Sequence, residues 1–255
     1  MLNSPSESIS EPSLDRIIIV LVQPQNPENI GGVVRAMMNM GLTRLRLVKP
    51  KRYDPLRISS AAHRSEAFQQ GIEFYDDLPS ALADVNLTVA ASNRQRRLGP
   101  PILSPKKLAP VLLDHTRVGT PAILFGREDW GLPNEVVQHC HYQVSIPTNR
   151  DYQSLNLAQA VLLISYELRQ AALPGENVFP TVIDPLDPPA TEAQFKAAVD
   201  SILNVLDQVR FFKPGQEPAK RMKIERLLRR TRPVASEAGL LRAMGYVLER
   251  AIKRD

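Results

Sequence analysis

The first two thirds of the chain alternate short, β-branched apolar runs with stretches whose apolar residues recur at helical spacing. Residues 16–22, RIIIVLV, are a continuous run of the kind found in strands buried on both faces. The following QPQNPENIGGVVRAMMNMG opens a helix at Asn29, with Ile30, Val33 or Val34, Met37 and Met38 on its inner face and Gly41 as its C-cap. Further strands are predicted at 45–48, 72–75, 87–91, 122–125 and 142–146, and helices at 59–70, 78–83, 106–113 and 134–140. In a longer helix Leu157, Ala160, Val161, Ile164, Leu168 and Ala171 share one face, and Ser154 stands where an N-cap belongs. This alternation predicts an α/β fold: a mainly parallel sheet with helices on both faces.

The pattern changes after residue 173. Residues 174–191 are rich in proline and read as an extended linker. Phe195, Val199, Ile202, Leu206 and Val209 then mark one amphipathic helix, and 221–230 and 237–252 mark two more, separated by a break at 231–233. The expected organisation is a disordered tail (1–13), a sheet domain (14–173), the linker, and a small helical domain (192–255).

Of the 255 residues, 43% are apolar, yet the longest apolar run, Ile17 to Val22, is far too short to cross a bilayer. The opening MLNSPSESISEPS lacks the pattern of a signal peptide. A single cysteine, Cys140, excludes an internal disulfide framework and points to a reducing cytoplasm. The net charge of +5 is unevenly placed: from Arg210 onward thirteen Lys or Arg face five Asp or Glu, whereas the first 209 residues hold 19 against 22. A basic segment on a near-neutral domain fits a polyanion such as RNA or DNA, or else a solvated helical face.

Three junctions, 29–35, 126–132 and 147–156, each follow a strand and precede a helix, so they can converge at the carboxyl edge of a parallel sheet. Gly126 and Gly131 let the main chain face a ligand there, and Glu128 places a carboxylate between them. No G-x-G-x-x-G is present, so a dinucleotide-dependent oxidoreductase is not supported. His139, Cys140 and His141 are contiguous and alternate in direction, so no metal site is expected. His63 and His115 are isolated. Arg94, Arg96 and Arg97, with Lys106 and Lys107, can contact RNA phosphate or simply be solvated.

NIGGVVRAMMNMG, FGREDWGLPNE and IPTNRDYQSLNLAQAV resemble, in order and at fitting separations, the three motifs of the SpoU/TrmH family of knotted ribose methyltransferases. KPGQ, RLLRRTRP and ASEAGLLRAM resemble the helical extension of its TrmJ subfamily. The resemblance implies S-adenosyl-L-methionine as cofactor and methylation of an RNA ribose 2′-hydroxyl. For the subfamily the target is cytidine or uridine at position 32, the first nucleotide of the tRNA anticodon loop. It also implies a trefoil knot in the C-terminal part of the sheet domain and a homodimer, with no membrane or metal partner. Ribosomal RNA as substrate, and a catalytically silent RNA-binding knot, are the alternatives.

Carried over residue by residue, the resemblance makes Arg35, Asn29, Glu128, Ser154 and Asn156 the catalytic candidates. Ala91, Ser92, Asn93, Gly126, Arg127, Glu128, Gly131, Ile146, Pro147, Ser154, Leu155 and Asn156 are the cofactor-binding candidates. Arg94, Arg96, Arg97, Lys220, Arg221, Lys223, Arg226, Arg229, Arg230 and Arg232 are the RNA-binding candidates. Where the subfamily often has glycine before the motif-one asparagine, Glu28 stands here, adding a carboxylate near the site. Trp130 is a bulky residue within the motif-two loop. Arg35 is open to two roles: a guanidinium, with a pKa above about 12, is an awkward base but a good grip for the phosphate beside a ribose.

Overall fold

Strand β1 (Ile18–Val22), with every side chain buried, is an interior strand of the sheet in a computed structural model that describes residues 12–94, 99–173, 187–213 and 217–253. The described residues form two compact units, 12–173 and 187–253. In the first, chain order runs β1, α1 (Pro27–Met40), β2 (Arg44–Val48), α2 (Pro55–Ala61), α3 (Glu66–Gln70), β3 (Glu73–Tyr75) and α4 (Leu78–Ala81). It continues through β4 (Leu87–Ala91), β5 (Ile102–Leu103), α5 (Pro105–His115), β6 (Pro121–Phe125), α6 (Asn134–Gln138), β7 (Tyr142–Val144) and α7 (Leu157–Ala172).

The strands form one seven-stranded sheet in the order β3-β2-β1-β6-β4-β7-β5, and every pairing is parallel. Alternation along β1 explains why the sheet needs cover on both sides. Ile19 and Leu21 enter a core with Ile30, Val33 and Met37 of α1, Leu112 of α5 and Val161, Ile164 and Leu168 of α7. Ile18 and Val20 enter the opposite core, with Ala81 of α4, Val137 of α6 and Cys140. Since all strands run the same way, the loops after β1, β4, β6 and β7 leave at one edge.

Several boundaries differ from expectation. The predicted helix over 59–70 is two helices, because Arg64 adopts a left-handed φ of 60° and ends the turn between them. Strand β5, of two residues, carries too little pattern to be read from sequence. The cap of α7 is Asn156 rather than Ser154: its side chain accepts from the Ala158 N–H at 2.9 Å, and Gln159 accepts from the Asn156 N–H. Ser13, placed in the disordered tail, caps a 3-10 turn at Leu14–Arg16 and donates through its N–H to the Thr116 hydroxyl at 3.0 Å.

On β2, Arg46, only 3% exposed, is the buried charged residue of the described strands. Its guanidinium donates to both oxygens of Asp84 at 2.6 and 2.9 Å, to Glu73 at 3.0 Å and to the Ala81 carbonyl at 2.7 Å. A buried charge that has lost water is tolerable only when its donors are satisfied in this way.

The second unit contains α8 (Glu192–Gln208), α9 (Glu217–Thr231) and α10 (Ala235–Ile252). Phe195, Val199 and Leu203 of α8 pack with Ile224 and Leu228 of α9, and Ala198 packs with Ala238 of α10. The end of the expected linker is structured: Pro189 bridges to Val234, and Thr191 caps α8. The remainder of that linker lies outside the described residues, as do residues 1–11 of the expected tail.

Arg46 holds the Asp84 carboxyl below its ordinary range. The pair therefore stabilises the fold above the unfolded carboxylate pKa of about 3.9 and loses that contribution as pH falls through the lower folded value. Asp84→Asn is expected to cost about 1–2 kcal/mol at neutral pH, discounted because the Asp84 side chain is half exposed. In urea unfolding across pH, the difference from the parent should vanish at the acid end.

Candidate functional site

The junction motifs meet at the carboxyl edge. A cavity of about 330 Å³, within the range of small-molecule sites, opens between the loops that follow β4, β6 and β7. Phe125, Leu132, Val144, Leu157 and Ile164 give it an apolar floor. Ala91, Ser92, Asn93, Gly126, Arg127, Glu128, Gly131, Ile146, Ser154 and Leu155, of the predicted cofactor residues, line it. Pro147 and Asn156 are not among its lining residues.

Glu128 explains how three segments distant in sequence meet. Its carboxylate accepts from the Gln25 N–H at 3.0 Å, the Asn26 N–H at 3.3 Å and the Asn29 side-chain amide at 2.9 Å. This places an anion at the N-terminus of α1, where unpaired N–H groups and the helix dipole favour it. The chain of contacts continues, since the Asn156 amide donates to Asn29 Oδ1 at 3.2 Å. Asn29, Glu128 and Asn156 thus form one hydrogen-bonded series beside the cavity.

The β6 loop turns back on itself through a bridge between Arg127 and Gly131, with the Gly131 N–H donating to the Arg127 carbonyl at 2.8 Å. Gly131 has a φ of 74°, which favours glycine. Gly126 is required for another reason: a Cβ there would collide with the backbone of Gly131 and Leu132. Arg127 and Asp129 pair at 2.7 Å, and this holds the Asp129 carboxyl low.

The opposite wall is held by predicted Asn93 and by Gln143, which the sequence reading did not single out. Buried Gln143 of β7 donates to the carbonyls of Ser92 and Arg94 at 2.6 and 3.1 Å. Asn93 donates to the Gln153 carbonyl at 2.8 Å and accepts from the Ser145 hydroxyl at 3.2 Å. The signal for Gln143 was available as a lone polar residue inside an apolar strand.

Arg35 is not brought to this cluster within one chain. It is exposed on α1, six residues beyond Asn29, or roughly 9 Å along the axis. Its guanidinium donates to the Ala61 carbonyl at 3.5 Å, and among the described residues it has no ion-pair partner. Glu28 also turns away from the site and pairs with Arg57 at 2.8 Å; local hydrogen bonding, first from its own backbone and then from Arg57, lowers its carboxyl. Among the described residues no group of three or more His, Cys, Asp or Glu could hold a metal, and no helix is long and apolar enough to cross a membrane.

Of the predicted RNA-contacting cations, Arg94 lies at the cavity, and Arg96 and Arg97 lie outside the described residues. In the helical unit Lys223, Arg230 and Arg232 are exposed, and Lys220 and Arg226 are half-buried. Arg221 pairs with Asp207 and Glu217 and lies over Phe212. Arg229 is a correction: it is buried, pairs with Glu192 at 2.6 Å and Glu225 at 3.3 Å, and lies over Phe195. Its charge serves the interior of that unit rather than a polyanion.

Residues 16–166 match the model of the SpoU rRNA Methylase family. The chain belongs to the SpoU methylase family. Among similar SpoU proteins, one from Photorhabdus laumondii, named tRNA (cytidine/uridine-2′-O-)-methyltransferase TrmJ, is 35% identical over 94% of this chain and 100% of its own. One of the same name from Cronobacter sakazakii is 38% identical over 91% and 95%. The crystal structure of TrmJ from Z. mobilis ZM4 superposes with a TM-score of 0.78 at 31% identity, covering 91% of this chain and 98% of that one.

The glycine geometry is directly testable in this SpoU chain. Gly126→Ala should displace the 126–132 turn, lower the melting temperature and remove the stabilisation that S-adenosylhomocysteine gives in a thermal shift assay. Gly131→Ala, strained but not obstructed, should cost about 1 kcal/mol and keep that stabilisation.

Proposed function

We propose that the chain transfers a methyl group from S-adenosylmethionine to the 2′-hydroxyl of a pyrimidine in tRNA, at the first nucleotide of the anticodon loop. The observation that carries this is the cavity closed by the three strand-end loops, with the Glu128, Asn29 and Asn156 series at its edge. The near full-length relatives named as tRNA (cytidine/uridine-2′-O-)-methyltransferases support the substrate, and work on tRNA fits a cytoplasmic location.

The residues present fit the cofactor. The apolar floor suits an adenosyl group, and Glu128, which lines the same cavity while its carboxylate holds the loops, places negative charge near a cationic ligand. When bound, S-adenosylmethionine supplies an electrophilic methyl group. Ser154, exposed at the rim, can hydrogen-bond a ribose hydroxyl, and Asn29 and Asn156 hold the loops on either side in register. Arg35, exposed and without a carboxylate partner among the described residues, is better suited to grip the phosphate beside the target ribose than to serve as base. A gripped phosphate orients the hydroxyl and lets a nearby guanidinium offset charge developing on its oxygen.

The same reading makes the enzyme a homodimer. Leu162, Leu163 and Tyr166 leave an apolar face exposed on α7, and α1 packs alongside that helix, with Gly32 against Ala158 and Gly41 beside Arg169. Met38 of α1 is exposed as well, one turn beyond Arg35 on the same face. A second copy closing over this surface would set Arg35 at the subunit boundary. The trefoil knot belongs to this reading too, supported by the mutual bonding of the loops at 92–94 and 143–153.

Nucleoside mass analysis of unmodified tRNA incubated with enzyme and cofactor should show 2′-O-methylcytidine or 2′-O-methyluridine. Arg35→Ala should lower the rate about 100-fold or more while cofactor binding persists. Methyl transfer to ribosomal RNA alone, or to a base, would overturn the reading. Light scattering should report a dimer for the parent, and Tyr166→Glu should yield a folded monomer with little transfer activity.

A further inference from the structure

Trp130 is the one tryptophan in the sequence, and it is 66% exposed where large aromatic side chains ordinarily seek cover. The loop that carries it is held from both sides: the Arg127–Gly131 bridge closes the turn, and Glu128 ties it to the backbone at Gln25 and Asn26. The indole is therefore displayed by an anchored turn rather than left on a loose one. It lines the same cavity as Glu128 and Ser154, and the Arg94 guanidinium, from the facing β4 loop, lies 5.8 Å from the ring centroid. Exposed Lys51 lies close enough to the same loop to act on the Asp129 carboxyl, and its N–H donates to the Pro24 carbonyl next to the segment that Glu128 holds.

A flat apolar ring beside cations, at the mouth of a pocket, matches a ligand with a π-face attached to an anionic backbone. An unpaired nucleobase is such a ligand: single-stranded RNA loops are recognised largely by stacking on aromatic and guanidinium planes. The cofactor's adenine is the weaker candidate, because the apolar floor of Phe125, Leu132, Val144, Leu157 and Ile164 already offers it a deeper seat. We propose that Trp130, backed by Arg94, is the platform on which an unpaired base of the RNA substrate stacks beside the methyl-donor cavity. This deepens the methyltransfer reading and rests on it. Stacking there would hold the nucleotide so that its ribose, rather than its base, faces the cavity, making Trp130 a positioning residue.

A single tryptophan makes the test direct. The emission of the full-length protein is titrated with an unmodified anticodon stem-loop RNA alone and with S-adenosylhomocysteine alone. The KM for each substrate is then measured for the parent, Trp130→Ala and Trp130→Phe. The expected results are the emission of a water-exposed indole in the free protein, quenching by RNA and not by S-adenosylhomocysteine, and an RNA KM raised about tenfold in Trp130→Ala. The cofactor KM and melting temperature should be unchanged in that variant, and Trp130→Phe should recover most of the loss. Quenching by S-adenosylhomocysteine alone, a raised cofactor KM, a buried-type emission in the free protein or an unchanged RNA KM would each overturn the proposal. RNA-dependent quenching in a parent enzyme that transfers no methyl group would instead overturn the methyltransfer reading and leave the stacking platform standing.

Discussion

The carboxylate of Glu128 reaches back across about a hundred residues of sequence to the start of α1, where two main-chain N–H groups and the Asn29 amide donate to it. Those N–H groups sit at a helix N-terminus, where they have no acceptor within the helix. Supplying an anion there satisfies several donors at once and complements the helix dipole. The same contact fixes the β6 loop, because Glu128 leaves the turn between Arg127 and Gly131. Through Asn29 it extends to Asn156, the cap of α7. One acidic side chain thus couples the loop after β1, the loop after β6 and the start of the last helix of the sheet unit.

That coupling is possible only because the sheet is parallel throughout. An antiparallel pairing would have sent one of these loops to the far edge. Parallel strands in turn demand cover on both faces, and the two cores on either side of β1 supply it. Burial and site geometry are therefore one constraint seen twice. The apolar run that hides β1 also aims its loop at the place where Glu128 waits, and Phe125, Val144, Leu157 and Ile164 of the cavity floor belong to the core that α7 packs into.

Much of this was legible in the sequence because strand and helix periodicities differ and most elements here carry one clearly. β1 and α1 were readable to within two residues at each end. What the pattern could not carry were local choices set by backbone geometry. Arg64 in a left-handed conformation splits one expected helix into α2 and α3. Asn156 out-competes Ser154 as a cap because Gln159 lies three residues on to complete a capping box. Charge was the least legible property, since composition counts cations without their partners. Arg229 looked like part of a basic RNA face and instead neutralises Glu192 and Glu225 inside its unit. Arg46 gave no hint that it would be buried against Asp84.

The distinction between satisfied and unsatisfied cations also orders the function. Arg229, Arg46 and Arg127 each face carboxylates at 3.0 Å or less, so a phosphate would have to displace an existing partner. Arg35 and the exposed Lys223 and Arg230 stand in none of the ion pairs among the described residues. Free charge is what an RNA backbone can neutralise without cost to the fold. Glu128 is committed to holding the loops, and Arg35 stands outside the cluster that Glu128 organises. The site therefore separates its tasks: the pocket is built by groups already bonded within the fold, and RNA is met by groups that the fold does not need.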